Sequence, residues 1–190
     1  MRDARTRHAD LRSSPATPPP WTRGWRLGST ATRDCEHGLT WIKPSFLWMM
    51  YRCGWGTKAG QETVLAVEIA RDGFEWALRH ACLSSYVRGV HPDRATWQRR
   101  LKRAPTRVQW DPERDLHLRP LPYRSLQLGL SGEAARRYAD EWTVSISDVT
   151  PLAHEIHAHV GSGDLAAATR LLPQERPYPA GDELTAHLRS

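Results

Sequence analysis

The sequence predicts a single α+β domain, with a mixed or antiparallel sheet of roughly four to five strands and about six helices. Three observations predict it. Residues 40–55 (TWIKPSFLWMMYRCGW) are the densest apolar and aromatic run in the chain, which marks a buried aromatic helix. Strand-like segments succeed one another across short links, with a brief helix between two of them, which favours α+β over a wound parallel sheet. Two helical patterns flank Gly161-Ser162-Gly163 near the end, which marks a C-terminal helical hairpin.

Each element has a local reason. In residues 40–55, Pro44 lacks an N–H and suits a first helical turn. Gly54 and Gly56 supply left-handed stops. A helix apolar on nearly every face is buried, and this one is too short to cross a bilayer, which takes roughly 20 apolar residues. Residues 63–69 (TVLAVEI) read as a central strand, nearly continuous in apolar character. Asp72 and Glu75 have capping-box spacing for a helix running to Leu83, with Phe74, Trp76, Ala77 and Ala81 inward. Asp93 caps a basic helix, residues 94–103, with Trp97 and Leu101 at helical spacing. Residues 106–110 (TRVQW) form a strand, Asp111-Pro112 a turn, and residues 116–118 a returning strand. Pro120, Pro122 and Tyr123 form a stiff link to the strand 125–130 (SLQLGL). Ser131 caps a short helix. Residues 141–147 (EWTVSIS) alternate, which places Trp142, Val144 and Ile146 on one half-buried face. Thr150-Pro151 is an N-cap with an N1 proline, and Asp164 caps the second hairpin helix. From residue 180 a loose tail is expected, with a frayed turn open to residues 182–188.

Residues 1–38 show no helical or strand period. They are rich in Arg, Pro, Ser and Thr, with a PATPPP run at residues 15–20, which is the composition of disorder. The folded domain is therefore expected over residues 39–179.

The chain has 190 residues, 39% hydrophobic and 25% charged, enough for one domain with a modest core. Lys and Arg number 27 against 21 Asp and Glu, a formal net charge of +6. That balance favours polyanionic partners, a nucleotide or nucleic acid, with salt-sensitive binding. The first 40 residues carry seven Arg against four acids, so half of the excess lies in the least structured part. Three cysteines, Cys35, Cys53 and Cys82, have no motif spacing, which argues against a disulfide framework or a zinc ribbon. Cys53 and Cys82 read as buried thiols. The N-terminus lacks the apolar core of a signal peptide, so a reduced cytoplasmic location and no membrane partner are expected. The oligomeric state is not legible.

Chemistry has two candidate places. Lys43, Ser45, Tyr51 and Arg52 are the polar members of the aromatic helix and must face a partner, a cleft or the surface. Lys43 and Arg52 either snorkel to solvent or line an anion-binding cleft. Gln109, Trp110, Asp111, Glu113 and Arg114 collect an amide, an indole, two carboxylates and a guanidinium, and Tyr123 and Arg124 stand before the next strand. Either this is an ordinary turn with solvated charges, or it is a site on the loop of a rigid sheet. His154 and His157 share a helix face, but Ala158 stands where a zincin helix needs its second histidine. No metal site is assigned. There is no phosphate loop and no nucleophile elbow.

The phrases TWIKPSFLWMMYRCGW, VQWDPERD, LPYRSLQLGL, DEWTVSISDVTPL and LLPQERPYP resemble the bacterial and fungal family called domain of unknown function 4291, over residues 40–179. The family name implies no established activity. Its layout is similar to the ADP-ribosyltransferase type of fold, in which a split α+β sheet holds NAD. That resemblance implies Glu113 or Glu141 as the catalytic acid, with Lys43, Arg52 or Arg124 facing the pyrophosphate. Members usually begin with a strand-plus-helix unit that residues 1–38 lack, and Arg-, Pro- and Trp-rich text of this kind points to a frameshift or misassigned start upstream of Thr40.

Two functions follow. The first is an enzyme acting on a nucleotide or nucleic acid, with NAD as the implied cofactor. The alternative is a non-catalytic module that binds nucleic acid or protein through the basic helix 94–103.

Overall fold

The computed structural model describes the backbone of residues 23–27 and all of residues 39–188. Among the described residues, seven strands and seven α-helices follow one another in an α+β arrangement. The expected mixed sheet has four strands, β2 (Thr40–Ile42), β6 (Pro120–Leu130), β5 (Thr106–Arg114) and β4 (Ala81–Leu83), in that order. A second, three-stranded antiparallel sheet joins β1 (Arg23–Leu27), β3 (Val64–Ile69) and β7 (Thr143–Asp148). β3 is central, as its continuous apolar character required. The strand β1 was missed, because RGWRL has no period of its own and is defined by pairing with β3. The remaining expectations for residues 1–38, disorder and a frame error, lie outside the described residues.

Helix α1 (Phe46–Cys53) buries Phe46, Trp48, Met49, Met50 and Cys53. It starts one step later than Pro44 suggested. Ser45 is the N-cap, its Oγ accepting from the Trp48 N–H at 3.3 Å. Gly54 ends the helix at φ +58°, and Trp55 continues in the left-handed region at φ +59°. A non-glycine residue is costly there. Trp55 is held by burial, by an edge-on Phe46 at 6.3 Å and by a stacked His157 at 5.2 Å.

The capping box at Asp72 does not form. Helix α2 (Arg71–Arg79) has Ala70 as N-cap and no side-chain cap, and it stops before Ala81, which opens β4. Gly73 lies against Trp142, so closely that a Cβ would drive into the indole. Glu75 instead ties α2 to the C-terminal segment. It accepts from Tyr178 OH at 2.6 Å and pairs with Arg71 and Arg79 at 3.1 and 2.7 Å. Helix α3 (Arg94–Arg103) is capped by Asp93 as expected, but it buries no residue. Trp97 fixes it by donating from Nε1 to the Leu83 carbonyl at 2.9 Å.

The expected turn at Asp111-Pro112 is strand instead. β5 runs through it and pairs with β6, with a register shift between Pro112 and Arg114. β4 covers only Thr106 to Val108, so Pro112, which has no N–H to give, meets no further strand on that side. The hairpin turns at residues 115–119. There Asp115 accepts from the backbone N–H groups of His117 and Arg119, each at 2.9 Å. The Pro120–Tyr123 link is likewise the first part of β6.

Helix α4 (Gly132–Arg137) passes into a π turn (Tyr138–Trp142) that carries the chain between the sheets. β7 reverses its expected faces. Val144 and Ile146 are 64% and 59% exposed, and only Trp142, in the π turn, is buried. Helices α5 (Thr150–Ser162) and α6 (Leu165–Leu171) form the expected hairpin. Val149 is the N-cap of α5, and Asp148 accepts from the Thr150 N–H at 2.8 Å. The tail is not loose throughout, since α7 (Asp182–His187) packs Leu184, and the Leu188 that follows it, into the core. Cys53 and Cys82 are free and buried. Among the described residues no helix is long and apolar enough to cross a membrane.

Two apolar clusters result. One lies around Leu78, Val108, Leu126, Leu128, Leu130 and Trp142, the other around α1, α5 and α6. β3 joins them, with Val67 in the first and Val64 and Ala66 in the second.

Glu75 gives this packing an acid dependence. The Tyr178 hydroxyl first, then Arg71 and Arg79, hold its carboxyl below the ordinary 4.5 against the effect of burial. A depressed carboxyl adds stability that is complete above pH 4.5 and is lost as pH falls through the folded value. Urea unfolding across that range should show a steeper acid decline for the natural chain than for Glu75→Gln. Equal slopes would show that Glu75 is not coupled to folding.

Candidate functional site

β5 and β6 present two faces. Val108, Leu128, Trp110 and Leu126 share one, because directly paired residues point the same way. Gln109 with Gln127, Asp111 with Ser125, and Glu113 share the other. Gln109 is exposed, yet Glu113 is 4% exposed and Ser125 3%. The cover comes from the β2–α1 junction. Ile42 pairs with Leu128, so the chain leaving β2 runs along β6 toward Ser125 and lays Lys43 and Ser45 over the polar face.

The four side chains lock together. Lys43, fully buried, donates from Nζ to Ser125 Oγ at 2.5 Å and to the Ser125 carbonyl at 3.2 Å. Its ammonium lies 3.8 Å from Glu113. Ser125 Oγ donates to Glu113 Oε1, and Ser45 Oγ donates to Glu113 Oε2 at 2.5 Å. Burial pushes the Lys43 ammonium down from its usual range, and the carboxylates Glu113, Asp111 and Glu175 oppose that push. Glu175 also accepts from the Phe46 N–H at 2.8 Å, at the start of α1. Chemically, Ser125 is a hydroxyl held between a carboxylate that accepts its hydrogen and a cation that favours its anion.

Around this cluster the predicted residues divide. Tyr51, 43% exposed, carries the Arg114 guanidinium over its ring at 3.6 Å. Gln109 donates to Asp111 at 2.9 Å, and Arg124 donates to the Trp110 carbonyl at 2.8 Å. Tyr123 is exposed. Arg52 is exposed and does not join the cluster, and its carbonyl accepts from Lys58 at 2.8 Å. Glu141 is also apart, paired with Arg137 at 2.9 Å on the π turn. Ser125 and Glu175 were not singled out from sequence. Ser125 sits in an apolar alternating strand, and only β-pairing reveals its neighbours.

A second feature was half legible. The basic helix α3 faces the C-terminal end of α2 and α7 across an open groove of about 490 Å³. Arg79, His80, Arg99, Arg100, Arg103 and His187 line it. Arg99 donates to Thr96 Oγ1 at 2.8 Å. Arg100 and Arg103 have no carboxylate within salt-bridge distance among the described residues. Burial raises the Cys82 thiol, and the charges of Arg100 and Arg107 act on it in the lowering direction. The groove opens beside Ala81 and Ala104, at the start of β5, whereas Glu113 is near its end. Seven residues of strand separate the two, about 23 Å at 3.3 Å each.

The histidines of α5 go elsewhere. His157 stacks on Trp55, and His159 lies 4.0 Å from Asp164.

Among comparisons with known proteins, the family model described as domain of unknown function (DUF4291) matches residues 32–178. No curated protein and no solved structure matches the chain.

Removing one member of the buried pair should be far costlier than removing a surface charge. Glu113→Ala leaves Lys43 without its counter-ion, at an expected cost of about 3–5 kcal/mol in urea unfolding. Lys43→Met combined with Glu113→Leu should recover much of that loss, because no orphaned ion remains. Independent, additive losses would show that the two charges are not coupled.

Proposed function

The chain belongs to the DUF4291 family, and we propose that it binds the phosphate backbone of nucleic acid in the groove between α2, α3 and α7. One observation carries this reading: Arg79, Arg99, Arg100 and Arg103 converge on one open groove from two helices. Helix dipoles account for only part of that charge. Each helix end supplies roughly −0.5 of a charge, and the two ends, α2 and α3, together about −1. Glu75 takes up Arg79. Asp93 partly offsets Arg99, and among the described residues Arg100 and Arg103 remain as an excess of cations over the local anions. Guanidiniums suit phosphate because their planar fork of donors matches its oxygens. Arg99 and Arg103 stand one helical turn apart, about 5–6 Å, on one face, a spacing that serves successive charges of a polyanion.

Fluorescence anisotropy with a labelled oligonucleotide tests it. Binding should weaken steeply between about 50 mM and about 200 mM salt, as phosphate contacts release counterions. Arg99→Glu with Arg100→Glu and Arg103→Glu should abolish binding, and a single change should lower the salt slope by about 1. Undiminished binding in the triple variant, or none in the natural chain at low salt, sinks the reading.

The buried charges favour a second reading, an enzyme acting on a nucleotide, with NAD as the implied cofactor. A lysine held at 0% exposure beside a glutamate at 4% is costly to bury, and burial pushes that ammonium down from its usual range; a perturbed group of this kind points to a functional site. Glu113 would serve as the acid or base, and the Arg114–Tyr51 stack would hold a phosphate and a ring above it. NAD or ATP should raise the melting temperature, and Tyr51→Ala should remove the rise while leaving the fold intact. Absence of any rise with both nucleotides rules out this reading.

A further inference from the structure

Resting on the groove as a nucleic-acid site, we infer that its ligand is single-stranded, with one unpaired base stacking on His80. His80 is exposed, lines the groove, and lies face-on against Trp76, with ring centroids 4.0 Å apart and planes 21° apart. Its Nδ1 is 2.8 Å from the Trp76 carbonyl. A carbonyl only accepts, so Nδ1 carries the hydrogen and the ring is pinned at two points. The Arg137 guanidinium lies over the same indole at 4.6 Å. Trp142 also tilts against that indole at 5.4 Å. The exposed imidazole, backed by the indole, is held in place by its neighbours, so little freedom is lost when a further flat ring adds to it.

A base is such a ring, and every base has a π face, so the platform is tolerant of sequence. In a duplex the bases are already stacked and paired, and their faces cannot reach a wall of the groove. A single strand can place its phosphates on Arg99, Arg100 and Arg103 while turning one base toward His80. Trp76 is half-buried beneath His80, and Trp97 is held by its bond to the Leu83 carbonyl. His187, the other ring lining the groove, is less exposed than His80 and is engaged by a contact of its own.

The test compares a fluorescein-labelled oligothymidylate with a duplex of equal length on the full chain. We expect the single strand to bind about tenfold tighter, the contribution of one stacked base. His80→Ala should remove that tenfold advantage and leave both the duplex affinity and the salt slope unchanged. His80→Phe should restore it, which a merely structural role for the imidazole would not explain. Circular dichroism checks that the exposed substitution leaves the fold intact. Equal affinity for both forms, or a His80→Ala variant with an undiminished single-strand preference, overturns the inference while the backbone-binding reading stands. Heparin binding as tightly as oligothymidylate would also overturn it, since charge alone would then suffice. Failure of both nucleic acids to bind would bring down the groove reading as well.

Discussion

Lys43 is a fully buried ammonium, and a buried ion must be paired and hydrogen-bonded or the fold fails. Its partners come from β6 through Ser125 and from β5 through Glu113. Ser45 closes the set. One hydroxyl caps α1 by accepting from Trp48 and also donates to Glu113. The polar cluster and the start of the aromatic helix are therefore one structural unit. If the β5–β6 pairing slipped by one residue, Glu113 and Ser125 would fall on opposite faces and strand the ammonium. The register of the four-stranded sheet and the seat of α1 are fixed by the same constraint.

That constraint leaves the two ends of β5 with different characters. At one end the polar face is roofed by the β2–α1 junction and by Glu175. At the other, β4 adds in parallel through α3, and the helix stays on the surface with no buried residue. A helix without a buried face contributes little to the core. Its stability rests on the Asp93 cap, the Trp97 bond and the Arg94–Tyr86 contact at 5.2 Å. Arg99, Arg100 and Arg103 are arranged around the groove, opposite Arg79 and His80.

Much of the fold was legible. The aromatic helix, the central β3, the Asp93 cap and the C-terminal hairpin all follow from local pattern. Errors arose where a nearby signal met a distant partner. Asp111-Pro112 looks like a turn, but Asp115 satisfies the backbone of residues 117 and 119 better and β6 continues the ladder. Asp72 and Glu75 have capping spacing, yet Glu75 is taken by Tyr178, more than a hundred residues away. The alternation in β7 was real, but its apolar face points outward. At the site, Lys43, Ser45 and Glu113 were named and do meet, while Arg52 and Glu141 lie apart.

The sequence by itself determined most of the helix and strand segments and that a few charged groups had to find partners within a greasy neighbourhood. It did so because periodicity, caps and turns are local properties. Only the tertiary structure decided which charges are buried. Glu113 continues an outward face that begins with exposed Gln109, and nothing in its own strand hides it. Burial arrives with Lys43, some seventy residues earlier. Likewise Arg79 and Arg100 are unremarkable helix-end cations until two helices bring them across one groove. Burial and convergence are pairwise properties of distant chain segments, and a one-dimensional pattern does not encode them.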